Sequence, residues 1–260
     1  MSFLTLILTI FWIVNLIWYK PFSVDLFYER TFIEYGMDDP ELMSRLELDK
    51  IYGITAFNDQ LTDISDEHRS KAYENISDRN LVMLHSYKVS EQSESQLLSS
   101  SVLDWYLENE VLKYHAADQS YLVNHINGIQ ISLPHFMVEV HEITYLGDAE
   151  DYLSRLSAFP TKFDQLIDLL NKRESAGIIA PKFIIERVIK EIKTFLSKDV
   201  EHNDLYKDFV FKIRNSKYIR EVAFEELEKD AKSIIKDEVY PSYKNLLSFL
   251  EDQSDRANNI

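Results

Sequence analysis

Apolar residues recur through most of this chain at intervals of three and four, the spacing of a helix that buries one face. Leu103, Leu107, Val111 and Tyr114 form one such stripe, and Phe163, Leu166, Ile167 and Leu170 form another. Ile185, Val188, Ile189, Ile192, Phe195 and Leu196 continue the pattern, and Tyr243, Leu246, Leu247 and Leu250 close it. The beginning of the chain differs. "FLTLILTIFWIVNLIWY", residues 3–19, runs 17 residues without a charge and has no polar face. As a helix it would be about 25 Å long, near the lower limit for crossing a bilayer. No basic residue precedes Lys20, and no small-residue cleavage site follows, so the segment reads as an uncleaved membrane anchor rather than a signal peptide. Trp18 and Tyr19 stand where interfacial aromatics belong.

Punctuation between the stripes predicts the element borders. Asp39-Pro40-Glu41 supplies an N-cap, a first-turn proline and a first-turn acid for a short helix toward Gly53. "FNDQLTDIS" follows as a loop. Ser65-Asp66-Glu67 opens a helix to about Tyr87, and Ser90-Glu91 opens the next. Residues 118–147 form the irregular segment, in which "GIQISL" alternates like a strand or an extended loop. Thr161 and Asp164 have capping-box spacing, Gly177 ends that helix and Pro181 starts another, giving an antiparallel hairpin. A charged helix spans Arg220 to Glu238, with Leu227, Ile234 and Ile235 on its inner side, and Tyr240-Pro241 breaks it. The expected fold is all-α: a multi-helix bundle of antiparallel amphipathic helices with one irregular segment, preceded by a single N-terminal hydrophobic helix. Residues 1–20 would be the anchor and 21–260 the helical domain. The stripe at Tyr243 to Leu250 is followed within ten residues by a polar end, which predicts an apolar face left for a partner.

Composition narrows function by exclusion. Five glycines and six prolines in 260 residues suit long helices, and a net charge of −16 argues against nucleic acid, whose binders need cations for the phosphates. Without cysteine there is no disulfide, thiolate nucleophile, lipid-bearing cysteine or cysteine zinc site. "VEVHEITYLG", residues 138–147, holds His141-Glu142, the first half of a His-Glu-x-x-His zinc signature, but Tyr145 occupies the second histidine's place. His125, His135 and His141 are spaced by ten and six, which matches no local ligand pattern. Phosphate-binding glycine loops and the Gly-x-Ser-x-Gly elbow are also missing. Asp148, Glu150 and Asp151 suit the positive end of a helix dipole. Asn75-Ile76-Ser77 has the form of a glycosylation acceptor. No catalytic residue and no metal ligand is assigned. Asn124, Gln130 and Phe136, in the irregular segment, are the candidates for lining a substrate cleft.

Several stretches carry a family resemblance: "FYERTFIEYGMDDPELMSRL" (27–46), "NDQLTD" (58–63), "LHSY" (84–87) and "DAEDYLSRLSAFPTKFDQLIDLLNKRESAGIIAPKFIIERVI" (148–189). "YLVNHINGIQISLPHFM" (121–137) and "YPSYKNLLSFLED" (240–252) are in register with them. Together they resemble the bacterial domain-of-unknown-function family 885 (DUF 885), from about Asp25 onward. His125 and His135 depart from the family pattern, which has Gln and Asp there. The resemblance implies an exported or membrane-attached, largely helical, zinc-metallopeptidase-like protein. It also implies that the zinc and its His-Glu-x-x-His helix belong to a C-terminal half absent from this chain. The chain is then expected to be inactive alone, to wall a substrate cleft, and to sit on the periplasmic side of the membrane. Its partners would be the membrane through residues 3–19, the C-terminal half or another helix surface, and peptides. The alternative is a membrane-tethered helical interaction module with no enzymatic role.

Overall fold

The computed structural model describes residues 3–257, and every regular element among them is a helix. In chain order the α-helices are α1 (Phe3–Trp18), α2 (Val24–Asp38), α3 (Pro40–Arg45), α4 (Leu48–Tyr52), α5 (Asp66–Glu74), α6 (Val82–His85) and α7 (Glu94–Ala116). They continue with α8 (Ile129–Glu139), α9 (Leu146–Ser157), α10 (Phe159–Ser175), α11 (Lys182–Leu196), α12 (Asp204–Asn215), α13 (Phe224–Ile234) and α14 (Tyr240–Arg256). π-Helical turns over Asn75–Leu81 and Ile235–Val239 fuse α5 to α6 and α13 to α14. The chain divides into two compact units. One comprises Met1–Asp38 with Asp66–Ala117, the other Asp39–Ser65 with Asp118–Ile260.

The first unit has a small core built on Phe27, Leu84 and Leu107. Its α1 ends at Trp18 because Lys20 precedes Pro21, whose ring disfavours helical geometry in the residue before it. Arginines take up the carbonyls left over at that end. Arg30 donates to Leu16 O at 3.1 Å and Tyr19 O at 2.7 Å, and Arg79 donates to Ile17 O at 2.8 Å. No helix among the described residues is long and apolar enough to cross a membrane. At sixteen residues α1 rises about 24 Å, short of a hydrocarbon core of about 30 Å, so the single-pass anchor expected from the sequence lacks support. In α7 the cap is Ser93, not Ser90. Ser93 has Gln96 three residues on, and the two side chains satisfy each other's backbone N–H groups in a capping box.

The second unit is organised around α14. Tyr243, Leu246 and Leu250 are fully buried, and α14 packs on both α10 and α11. The stripe expected to stay open is thus interior to this unit. α10 and α11 each pair with α14 rather than forming the simple hairpin expected. Pro241 does not break the helix either: it occupies the first turn of α14, directly after the π-helical turn. A π turn shifts the hydrogen-bond pattern by one residue, which gives room to a residue lacking an N–H. α10 begins at Phe159 with Pro160 in its first turn, placing Thr161 inside the helix, so the predicted box does not form. Gly177 meets its prediction. It adopts the left-handed φ of 78° and lets Ile178 N bond Arg173 O at 2.8 Å across the helix end.

The segment expected to be irregular contains α8, although Pro134 lies inside it. Proline cannot bond the carbonyl four residues back, here that of Gln130. The Tyr243 hydroxyl donates to that carbonyl at 2.7 Å. At the start of α8, Gly128 is required for space: a Cβ there would lie 2.5 Å from the Asn124 nitrogen and 2.7 Å from its oxygen.

Candidate functional site: a charged cleft in the second unit

A cleft of about 450 Å³ opens in the second unit, between the α3–α4 segment with its following loop and the stretch from the end of α8 into α9. The first wall starts from a well-capped helix. Asp39 Oδ1 accepts from Leu42 N at 2.9 Å and from the Thr62 hydroxyl, and Pro40 takes the first turn. Glu47 then adopts a left-handed backbone, φ 53°, which is uncommon outside glycine. It breaks the run between α3 and α4 and sets Asp49 and Lys50 on the cleft wall. Asp49 is buried: one oxygen accepts from Asn58 Nδ2 at 3.1 Å, and Oδ1 has no protein donor.

Arg155 of α9 forms the floor and is 1% exposed. Its Nε donates to Gln60 O at 2.9 Å, Nη2 to Ser44 Oγ at 2.8 Å, and Nη1 to His141 Nδ1 at 2.8 Å. Because a guanidinium only donates, Nδ1 of His141 is the acceptor, and the ring proton sits on Nε2, which donates to Asp148 O at 2.9 Å. Burial and the adjacent Arg155 charge depress the His141 pKa to about 3, so the imidazole is neutral. Burial also lowers Arg155, to about 10, against the pull of Glu41, Asp151 and Asp49. It keeps its charge at neutral pH.

The end of α8 is held in place by Lys212, which donates to the carbonyls of Val138 at 2.6 Å and His141 at 2.8 Å. Asp148 Oδ2 accepts from Thr144 N and Tyr145 N, both at 2.8 Å, fixing the entry to α9. That is the helix-start role its position suggested. Lys50 reaches across to Glu142 at 2.6 Å. Asp151 is half-buried, and its carboxyl is raised above its ordinary value by burial and by the nearby Asp59 and Asp148.

The structure places the candidates from the sequence elsewhere. Asn124 Oδ1 accepts from Ile126 N and Asn127 N at 2.9 Å, making a turn. Gln130 Nε2 donates to Asn124 O at 2.7 Å, which brings these two together, and Gln130 borders a smaller pocket of about 180 Å³ beside Phe195 and Tyr243. Phe136 is fully buried, with the guanidiniums of Arg45 and Arg155 each 5.0 Å from its ring centre. None of the three lines the larger cleft. Arg155 carries a signal in the sequence. It falls among Tyr152, Leu156 and Phe159, on the buried face of α9 and α10, where a lone arginine needs acceptors.

The residues present do not fit a zinc ion. Both ring nitrogens of His141 are engaged, and His125 Nε2 faces Arg187 Nη1 at 3.2 Å. No group of three or more His, Cys, Asp or Glu side chains among the described residues is arranged to hold a metal.

Residues 41–259 match the family model described as "Bacterial protein of unknown function (DUF885)". The chain belongs to this family. This DUF885 chain is also similar to a solved structure titled "The crystal structure of the putative lipoprotein from Colwellia psychrerythraea", with a TM-score of 0.73 and 18% identity. The match covers 86% of this chain and 41% of that one, so the DUF885 chain spans about two-fifths of the length of that relative. At such identity the likeness shows the fold alone. No curated protein matches the chain.

Proposed function

We propose that this chain is the N-terminal helical part of a membrane-attached, zinc-peptidase-like protein, walling a substrate cleft while the metal chemistry resides in a further part of the protein. The observation that carries this reading is one of length: the fold of this chain accounts for 41% of a longer relative, leaving room there for a second body of structure. The cleft in the second unit, about 450 Å³, falls in the range of small-ligand sites and is open and polar enough for part of a peptide. Apart from Asp49 Oδ1 and Asp151, its charged groups are largely committed to hydrogen bonds and ion pairs that position the walls, which suits a binding surface rather than a reaction centre.

Membrane attachment in this reading runs through α1, with the remainder on the periplasmic side. Residues 5–13 are all exposed, including Leu6, Ile7, Leu8, Phe11 and Trp12, so apolar surface faces outward all round the helix. A partner helix covers only one stripe, whereas hydrocarbon accepts every side.

Expression of the chain alone, and together with the coding sequence that follows it, tests the enzymatic part. The chain alone is expected to leave a broad peptide library intact. The joint product is expected to cleave it in a way that a metal chelator abolishes. Metal-dependent cleavage by the chain alone, or a joint product without hydrolytic activity, rejects the reading; the latter result would favour a helical interaction module.

A further inference from the structure

The charge pattern of the cleft asks for a ligand of its own, whether or not the protein proves to be a peptidase. Among the lining side chains, carboxylates outnumber cations six to three. The cations are accounted for. Lys50 is paired with Glu142, Arg155 spends its donors on neutral acceptors, and Arg45 lies over the Phe136 ring. Asp148 is consumed in fixing the start of α9. Glu47 also faces Lys50 at 3.9 Å, and Glu139 is exposed to solvent. The remaining two acids lie one on each wall. Asp49 is 9% exposed, yet its Oδ1 has no donor in the protein, although an acceptor buried unpaired is costly. Asp151, on the opposite wall, forms no ion pair; Asp59 and Asp148 repel its charge, and Arg155, whose donors are spent elsewhere, offsets only part of that repulsion. These carboxylates do not gather into a group able to hold a metal ion. Acids distributed over two walls, with Val140 and Tyr145 also lining the cleft, suit an elongated cation with an apolar stem.

We propose that this cleft binds an organic cation, receiving its ammonium or guanidinium groups at the carboxylates of Asp49 and Asp151. Free amines and the lysine or arginine side chains of a peptide share this chemistry. Entry of such a group supplies the donor that Asp49 lacks and relieves the repulsion around Asp151.

Isothermal titration of the full chain at low ionic strength tests the proposal, with agmatine, 1,5-diaminopentane and blocked tripeptides centred on lysine or arginine as probes. Saturable one-site binding of at least one probe is expected, and whether the amines or the peptides bind more tightly identifies the source. Asp151→Asn and Asp49→Asn should each weaken binding at least tenfold. Glu186→Gln removes the same charge from an exposed residue outside the cleft and should leave binding unchanged, which separates the site from general attraction to an acidic protein. Asp151 is only half-buried, so its variant reports even if Asp49→Asn fails to fold. Absence of saturable binding with every probe overturns the proposal. Equal loss in Glu186→Gln, full binding in Asp151→Asn, or displacement of the probe by equimolar calcium would overturn it as well.

Discussion

His141 shows how much a single residue's surroundings alter its chemistry. Adjacent to Glu142 it reads as half of a zinc signature; in the fold it is a neutral acceptor for a buried arginine, with its one proton committed to Asp148 O. Its pKa falls from 6.5 to about 3 through burial and the Arg155 charge. Between those values the unfolded chain binds a proton that the folded chain refuses, so stability is retained above about pH 6.5 and lost as pH falls toward 3. The slope from this one group reaches about 1.4 kcal/mol per pH unit. Asp151, raised above its ordinary 3.8, acts in the opposite sense near the acid end of that window. His141→Gln can accept from Arg155 and donate to Asp148 without titrating. Thermal melts across the window should show the wild type losing stability more steeply than this variant. Parallel curves would show that His141 does not titrate as described.

Helical elements here persist through residues that normally end them, and the reason lies outside each helix. Pro134 leaves the Gln130 carbonyl unpaired within α8, and the Tyr243 hydroxyl from α14 supplies the missing bond. Tyr243 is fully buried, and its hydroxyl is the donor this carbonyl has from outside α8. Tyr243→Phe keeps the ring packing against Phe163 and Phe195 and removes only the donor. It should cost about 1–3 kcal/mol, the penalty for a buried unsatisfied carbonyl. In the double variant with Pro134→Ala, which restores an N–H within α8, most of that loss should be recovered. Urea denaturation of the four proteins measures the coupling, and strict additivity would dissociate the tyrosine from the proline.

For the whole molecule, the open question is the surface that α1 presents. Its apolar residues are exposed around the helix rather than along one stripe, and Phe22 continues them beyond its end. Burying one such side chain is worth roughly 1.5–3 kcal/mol, so several together give strong binding to a lipid phase. The full chain should float with neutral lipid vesicles in a density gradient, and a chain lacking residues 3–19 should remain at the bottom. Equal behaviour of the two would remove α1 as the attachment point.

Helix class, the uncharged first segment, the Asp39-Pro40 start, the Gly177 stop and the role of Asp148 at the start of α9 were all determined by the sequence itself. Each depends on a periodicity or on a bond made within a few residues, and local order suffices to specify such things. What the sequence left open required partners far along the chain. Pro134 sits inside a helix because Tyr243 lies opposite, the Tyr243 to Leu250 stripe is covered because α10 and α11 close over α14, and Arg155 becomes a cleft floor because Gln60, Ser44 and His141 converge on it. Those contacts span up to 113 residues, and no periodic pattern records which distant carbonyl or hydroxyl a side chain will meet once the helices pack.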